Sequence, residues 1–248
     1  MRAILIDWLV EVHMKFRLVP DTMYLCVNII DRYLSVVQIP RQKLQLVGVT
    51  ALLVACKYEE LFPMEVKDCV YITDRAYTKD EVVMMEAHIA KKLKFRLSAP
   101  TAFQFLQRML VITGSGRDVR NLANYYSERM LQEYSAIRFR PSLVAVASIS
   151  LAMNNPDLSS REKSKHLCVG DILRPGIPEM LLQYTRYSAA EICDVAKVIA
   201  RKVAEHTKTY SRKDLLAVKK KFESSRYSNA SINFANPEAS HLHLPMDE

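Results

Sequence analysis

The stretch Leu44–Cys56 constrains this 248-residue chain more than any other, because it is apolar nearly all round. Leu44, Leu46, Val47, Val49, Ala51, Leu52, Leu53, Val54 and Ala55 leave it no polar face. It is as long as a helix and lacks strand-type alternation, so it predicts a helix enclosed by other helices. The pattern occurs twice. Arg41, Leu44, Val47, Gly48 and Leu52 match Arg140, Leu143, Val146, Ala147 and Leu151, 99 positions later. Asp31-Arg32-Tyr33-Leu34 matches Glu128-Arg129-Met130-Leu131 at an offset of 97. Tyr77-Thr78-x-x-Glu81-Val82 and Ile89-Ala90-Lys91-Lys92-Leu93 match Tyr187-Ser188-x-x-Glu191-Ile192 and Ile199-Ala200-Arg201-Lys202-Val203 at 110. The matches keep chain order and their offsets drift upward, as loop insertions produce. The first segment finds no convincing partner. Solenoid repeats run to roughly 20–50 residues, so a longer period fits two tandem copies of a five-helix domain.

Glycine supports an all-α chain. There are 5 glycines in 248 residues, against a usual share of about 7%. Hairpins, bulges and phosphate-cradling loops all draw on glycine. A dinucleotide-binding or nucleotide-hydrolysing fold is therefore excluded as a leading reading. The net charge of +8 permits an acidic partner or nucleic acid, but charges of both signs are interspersed along the chain. Cys26, Cys56, Cys69, Cys168 and Cys193 are odd in number, widely spaced and without a CxxC pair. They read as small core residues of a reduced intracellular protein. No apolar run reaches the ~18 residues of a membrane span, and the N-terminus does not read as a secretory leader.

The first copy reads as helices over 1–16, about 21–36, 44–56, a short segment to Ile72, and a fifth from Thr78 to near Leu97. Thr78 and Glu81 form a capping box at the start of the fifth. Ser98-Ala99-Pro100 marks the boundary, giving an N-terminal fold over 1–98 and a C-terminal fold over 99–226. A last basic helix is expected at about 211–225, and 227–248 as an extended or mobile tail. In the first segment, Met1, Ile4, Leu5, Trp8 and Val12 form one stripe, while Ala3, Ile6, Leu9, Val10 and Met14 cover more of the surface. One stripe suffices to pack on one core, so this helix is buried on two sides or keeps a stripe for a partner.

Catalytic patterns are absent: there is no GxSxG, phosphate loop or HExxH. Gly114-Ser115-Gly116 reads as a turn. His241-x-His243 has ligand spacing but no companions, so no metal and no cofactor are expected. Glu59 and Glu60 are helix neighbours that do not face each other. Lys57 complements the dipole at the end of the central helix, whereas Glu59 and Glu60 oppose it and need partners elsewhere. Glu86 sits within an apolar stretch. In the second copy Glu86 corresponds to Ala196, and Lys57 falls within Asn154-Asn155-Pro156. A charged pair confined to one copy points to binding rather than architecture.

Met1-Arg2-Ala3-Ile4-Leu5-Ile6-Asp7-Trp8-Leu9-Val10-Glu11-Val12 resembles the opening of the cyclin box. So, in order, do Arg41 to Gly48, Ala55-Cys56-Lys57-Tyr58-Glu59-Glu60, Tyr71-Ile72-Thr73-Asp74 and Tyr77-Thr78-Lys79. The resemblance covers about residues 1–225. It is nearest to mitotic B-type cyclins, through His13-Met14-Lys15-Phe16-Arg17-Leu18 and Lys57 to Pro63. It implies a non-catalytic subunit that activates a cyclin-dependent protein kinase, in cytoplasm and nucleus. It implies kinase contact through Lys57 and Glu86, ringed by Val54, Tyr58, Phe95 and Leu97. It implies a patch for Arg-x-Leu peptides formed by Met1, Ile4, Leu5, Trp8 and Gln45, with Glu11 and Asp74 meeting the peptide's basic residue. Arg2 and Asp31 match the family's structural ion pair. The family's basic phosphate pocket is only partly matched, by Gln107, Arg120 and Asn124. The helix that precedes the cyclin box and the destruction motif are not in the sequence, so Met1 is a truncation boundary or the cyclin is unusually short. The competing reading is a DNA-binding general transcription factor of the same duplicated fold; neither nucleic acid nor membrane is expected as a partner.

Overall fold

The computed structural model describes residues 1–155, 158, 177–208 and 215–233. These are all-α, with no strand among the described residues. The chain divides into two compact units, Met1–Thr101 and Ala102–Glu248.

The first unit contains α1 (Arg2–Lys15), α2 (Pro20–Val36), α3 (Leu44–Glu59), α4 (Val66–Ile72) and α5 (Lys79–Lys92). The apolar stretch forms α3, on which α1, α2, α4 and α5 all pack. Every residue from Leu46 to Cys56 is buried. Gly48 lies where α1 crosses: a Cβ there would stand 2.7 Å from Leu5 Cδ1. Leu5 therefore belongs to the core, whereas Met1 and Ile4 of the same stripe are exposed. The stripe thus splits between packing and surface. Cys26, Cys56 and Cys69 are buried. Burial pushes the Cys56 and Cys69 thiols up to about 12, which leaves them inert.

The second unit contains α6 (Ala102–Ile112), α7 (Arg117–Met130), α8 (Pro141–Met153), α9 (Glu179–Thr185) and α10 (Ala189–Lys208), followed by α11 (Ala217–Phe222) and α12 (Ala230–Asn233). Here α8 takes the central place, packed by α6, α7, α9 and α10. α6 supplies the partner of the first helix that residue matching alone did not reveal. Left-handed residues follow both helices, Arg17 after α1 and Gly114 after α6. Aligning them sets buried Leu9, Val12 and His13 against buried Leu106, Met109 and Leu110. Their offset of 97 is the one that relates α2 to α7.

The expected capping box forms, and its counterpart in the second copy forms as well. Thr78 Oγ1 accepts from the Glu81 N–H at 3.2 Å, and Glu81 accepts from the Thr78 N–H at 2.9 Å. Ser188 Oγ accepts from the Glu191 N–H at 3.3 Å, and Glu191 accepts in return at 2.9 Å. The Ser188 N–H and hydroxyl together hold the Glu191 carboxyl below its usual range.

The fifth helix ends earlier than expected, at Lys92 and not near Leu97. A Schellman turn closes it: Phe95 N–H donates to Ala90 O at 2.8 Å and Lys94 N–H to Lys91 O at 3.0 Å. Lys94 and Phe95 both take left-handed backbone conformations. The turn has no glycine to announce it. Arg17 and Asp74 hold corresponding left-handed places after α1 and α4, and only Gly114 puts glycine there.

The described part of the last basic segment, α11, is shorter than the expected helix over 211–225; positions 211–214 lie outside the described residues. It is anchored by Lys221, whose ammonium donates to both Glu128 carboxylate oxygens at 2.6 and 2.8 Å, with both side chains 4% exposed. Phe222 packs between Tyr125 and Tyr227. The start of the expected tail is not an extended strip: Ala230–Asn233 is helical, with Ala230 and Ser231 buried. Positions 234–248, including His241 and His243, lie outside the described residues, as does Cys168.

Candidate protein-binding sites

α3 and α5 leave an open apolar groove of about 440 Å³ in the first unit. Val54, Lys57, Tyr58, Glu86, Phe95 and Leu97 all line it, so the six residues singled out from sequence for one site do converge. Sequence reasoning missed four others: Val83, Ala87, Ala90 and Lys91. Their spacing is one face of α5, and that periodicity was the available signal. The two alanines keep the floor low, which gives the groove its depth.

Lys57 Nζ donates to Glu86 Oε1 at 2.5 Å. The lysine is 48% exposed and the glutamate 23%. Lys57 reaches across because it occupies the last turn of α3, while Glu86 stands mid-way along α5. Phe95 is 72% exposed. The left-handed turn that ends α5 holds the chain there, so an apolar ring is presented to solvent by a conformation that costs roughly 1–3 kcal/mol.

The end of α3 is tied back to the fold. Glu60 accepts from the Val19 N–H at 2.7 Å and the Thr22 hydroxyl at 2.6 Å. It thereby caps the first turn of α2, which is the partner its position at the wrong end of a helix dipole demanded. Burial, then the charges of Asp21 and Glu60, raises the Glu59 carboxyl above its usual range. Just beyond, Leu61 and Phe62 are each 92% exposed, so the apolar surface runs on past α3.

The second constellation lies on α1. Met1 and Ile4 are exposed, Trp8 is half-buried and Glu11 exposed, at spacings that keep them on one side of the helix. Gln45, at the start of α3, is half-buried. Leu5 departs from this surface into the core, for the steric reason given by Gly48. The Lys15 ammonium sits 4.6 Å from the centroid of the Tyr71 ring. This brings the ends of α1 and α4 together, with Glu11 one turn before Lys15 and exposed Asp74 just past Tyr71. Arg2 grips Asp31 in a two-point pair, Nε to Oδ1 at 2.6 Å and Nη2 to Oδ2 at 2.8 Å. In the second unit Gln107 donates to Asn124 at 3.0 Å, and Asn124 donates to Arg120 O at 2.8 Å, so the amides of both residues are engaged with the protein itself, and no phosphate pocket is assigned here. Among the described residues no cluster of His, Cys, Asp and Glu could hold a metal ion, and no helix is long and apolar enough to cross a membrane.

Residues 1–98 match the cyclin N-terminal domain and residues 100–234 the cyclin C-terminal domain. The chain belongs to the cyclin family. It is similar to the G2/mitotic-specific cyclin-B2 of Oryzias luzonensis, with 41% identity over 234 residues, 94% of this chain and 55% of the relative. It is 40% identical to Cyclin-B1-3 of Arabidopsis thaliana over 200 residues, 81% of this chain and 45% of the relative. A viral cyclin from herpesvirus saimiri shares the fold, with a TM-score of 0.67 and 20% identity over 82% of this chain and 84% of that one. The cyclin described here spans about half the length of the curated relatives it matches.

Proposed function

We propose that this cyclin is a non-catalytic regulatory subunit that binds and activates a cyclin-dependent protein kinase at the G2-to-mitosis stage, in cytoplasm and nucleus. The observation that carries this reading is the groove in which all six expected contact residues meet around the Lys57–Glu86 pair. Kinase activity requires a Lys–Glu pair whose glutamate lies on the kinase's mobile regulatory helix. A preformed apolar groove with a central ion pair is suited to hold such a helix in one position, with Phe95 and Tyr58 as exposed anchors. Leu61 and Phe62 extend that contact. Moving a kinase from mostly inactive to mostly active takes about 5.5 kcal/mol of preferential binding.

The test is a monomeric cyclin-dependent kinase mixed with the chain and a histone-type substrate. Stimulated phosphorylation supports activation; binding without stimulation reduces the protein to a scaffold. Salt-sensitive duplex DNA binding with no kinase capture would favour the transcription-factor reading instead. Lys57→Ala or Glu86→Ala weakens kinase binding by about 2–5 kcal/mol, because each leaves the other charge unpaired at a desolvated contact; unchanged affinity in calorimetry removes the pair from the interface.

The α1 surface is assigned to substrate and inhibitor recruitment through Arg-x-Leu segments. Met1, Ile4 and Trp8 receive the leucine, Gln45 lies beside them, and Glu11 and Asp74 attract the arginine. Trp8→Ala impairs phosphorylation of substrates that carry the segment and spares a minimal peptide; equal loss on both makes Trp8 a core residue.

A further inference from the structure

The face formed by α6 and α9 in the second unit has no role in this reading. On α6, Gln104, Arg108 and Val111 are exposed and lie along one stripe. On α9, Met180 and Tyr184 form a second exposed stripe. The two are joined: Arg108 Nε donates to the Tyr184 hydroxyl at 3.3 Å, and its guanidinium stands 6.0 Å from the ring centroid. Arg186, exposed and left-handed, follows α9 directly. Glu179 is the carboxylate at the start of α9, and Gln183 donates to it at 2.9 Å.

This face is the second-copy counterpart of the α1 surface, with the charge at the place of Glu11 reversed. With α1 and α6 aligned on Arg17 and Gly114, Glu11 becomes Arg108 and Trp8 becomes Phe105. Asp74 and Arg75 both take left-handed conformations after α4, and Arg186 does so after α9. The Glu11 carboxylate of the first copy is thus replaced by the Arg108 guanidinium, and Arg186 adds a second cation at the end of α9. A cation on a tyrosine joins α1 to α4 and α6 to α9, Lys15 on Tyr71 and Arg108 on Tyr184.

We propose that the α6–α9 face docks a short acidic peptide segment carrying an aromatic or large aliphatic side chain. Arg108 and Arg186 supply forked donors for carboxylates. Met180, Val111 and the Tyr184 ring supply the apolar seat. Charge complementarity selects the occupant: a basic segment, of the kind assigned to α1, is repelled here.

The probe is a fluorescein-labelled peptide, Asp-Glu-Phe-Asp-Glu-Leu-Asp-Glu, titrated with the full chain by anisotropy. Arg108→Glu and Tyr184→Ala each weaken binding about tenfold or more. Serine in place of the peptide's Phe and Leu weakens it similarly. Arg201→Glu, an exposed arginine on α10, and Trp8→Ala leave it unchanged. Equal loss with Arg201→Glu makes the attraction diffuse and overturns the proposal. So does absence of binding at millimolar chain, or tighter Arg108-dependent binding of a 20-base-pair duplex, which would make the face a nucleic-acid surface. Amide shifts of the unsubstituted chain on peptide addition must centre on Arg108, Val111 and Tyr184; shifts centred on Tyr58 or Trp8 refute it without any variant. Kinase stimulation by Arg108→Glu stays at the parent level, so failure here and failure of the kinase reading are separately visible.

Discussion

The groove between α3 and α5 and its counterpart between α8 and α10 are built from the same helix pair and differ in what fills them. In the first copy the pair encloses about 440 Å³ around Lys57 and Glu86. In the second, Ser150, Leu151, Ile177, Ile192, Cys193 and Ala196 close together and leave no space for a water molecule. Glu86 is replaced by a buried alanine, and α8 ends at Met153 before a lysine could be offered at the place of Lys57. One copy of a fold can therefore be spent on its own stability while the other keeps a helix pair open. Binding capacity resides in a few residues on a shared frame, not in the frame.

The copies also hold their second helices differently, and breaking those anchors gives the largest expected effect. Glu128 of α7 corresponds to Asp31 of α2. Its cation comes from α11, after the five-helix repeat, and both partners are 4% exposed. Arg2 and Asp31 are 13% and 20% exposed. Lys221→Ala destabilises the second unit by about 3–5 kcal/mol, because a buried carboxylate loses its counter-charge. Arg2→Ala costs about 1–3 kcal/mol, since Asp31 keeps access to water. Denaturant titration ranks the two; equal costs would mean burial does not separate the anchors.

A smaller effect separates the central helices. Gly48 corresponds to Ala147, which is buried in α8. Gly48→Ala drives a methyl against Leu5, an overpacking cost of about 1–3 kcal/mol, offset by about 1 kcal/mol of helix propensity. In a Leu5→Ala background the substitution turns stabilising by about 1 kcal/mol. A sign unchanged between the two backgrounds in thermal melts would remove Leu5 as the cause.

The smallest effect concerns the helix ends. Lys94→Gly relieves a left-handed lysine and stabilises by about 1 kcal/mol, while Gly114→Ala loses a similar amount. Chemical denaturation reads both; loss of stability in Lys94→Gly would show that the lysine's own contacts outweigh its backbone strain.

Much of this was legible in the residues because the cause was local. An all-apolar run declares α3, and Thr78 and Glu81 declare their capping box. The absence of Lys57 and Glu86 equivalents from the second copy points to a binding role for that pair. The remainder depends on non-local partners. Leu5 shares a stripe with Met1 and Ile4, and only the crossing at Gly48 separates core from surface. The end of α5 at Lys92 carries neither glycine nor proline. Lys221 finds Glu128 across 93 positions, and no sequence period predicts that. The match of α6 to α1 rests on buried residues of different type, such as His13 against Leu110, and on a turn geometry that glycine serves in one copy and arginine in the other.

Glu60 gives the groove a kinetic property. By fastening the end of α3 to the first turn of α2, it keeps the backbone beside Lys57 and Tyr58 ordered before any partner arrives. Little chain entropy then remains to be lost on encounter. Productive collisions need no slow folding step at this surface, so the association rate should be set by diffusion and orientation, and differences in affinity among partners should reside in how long each stays.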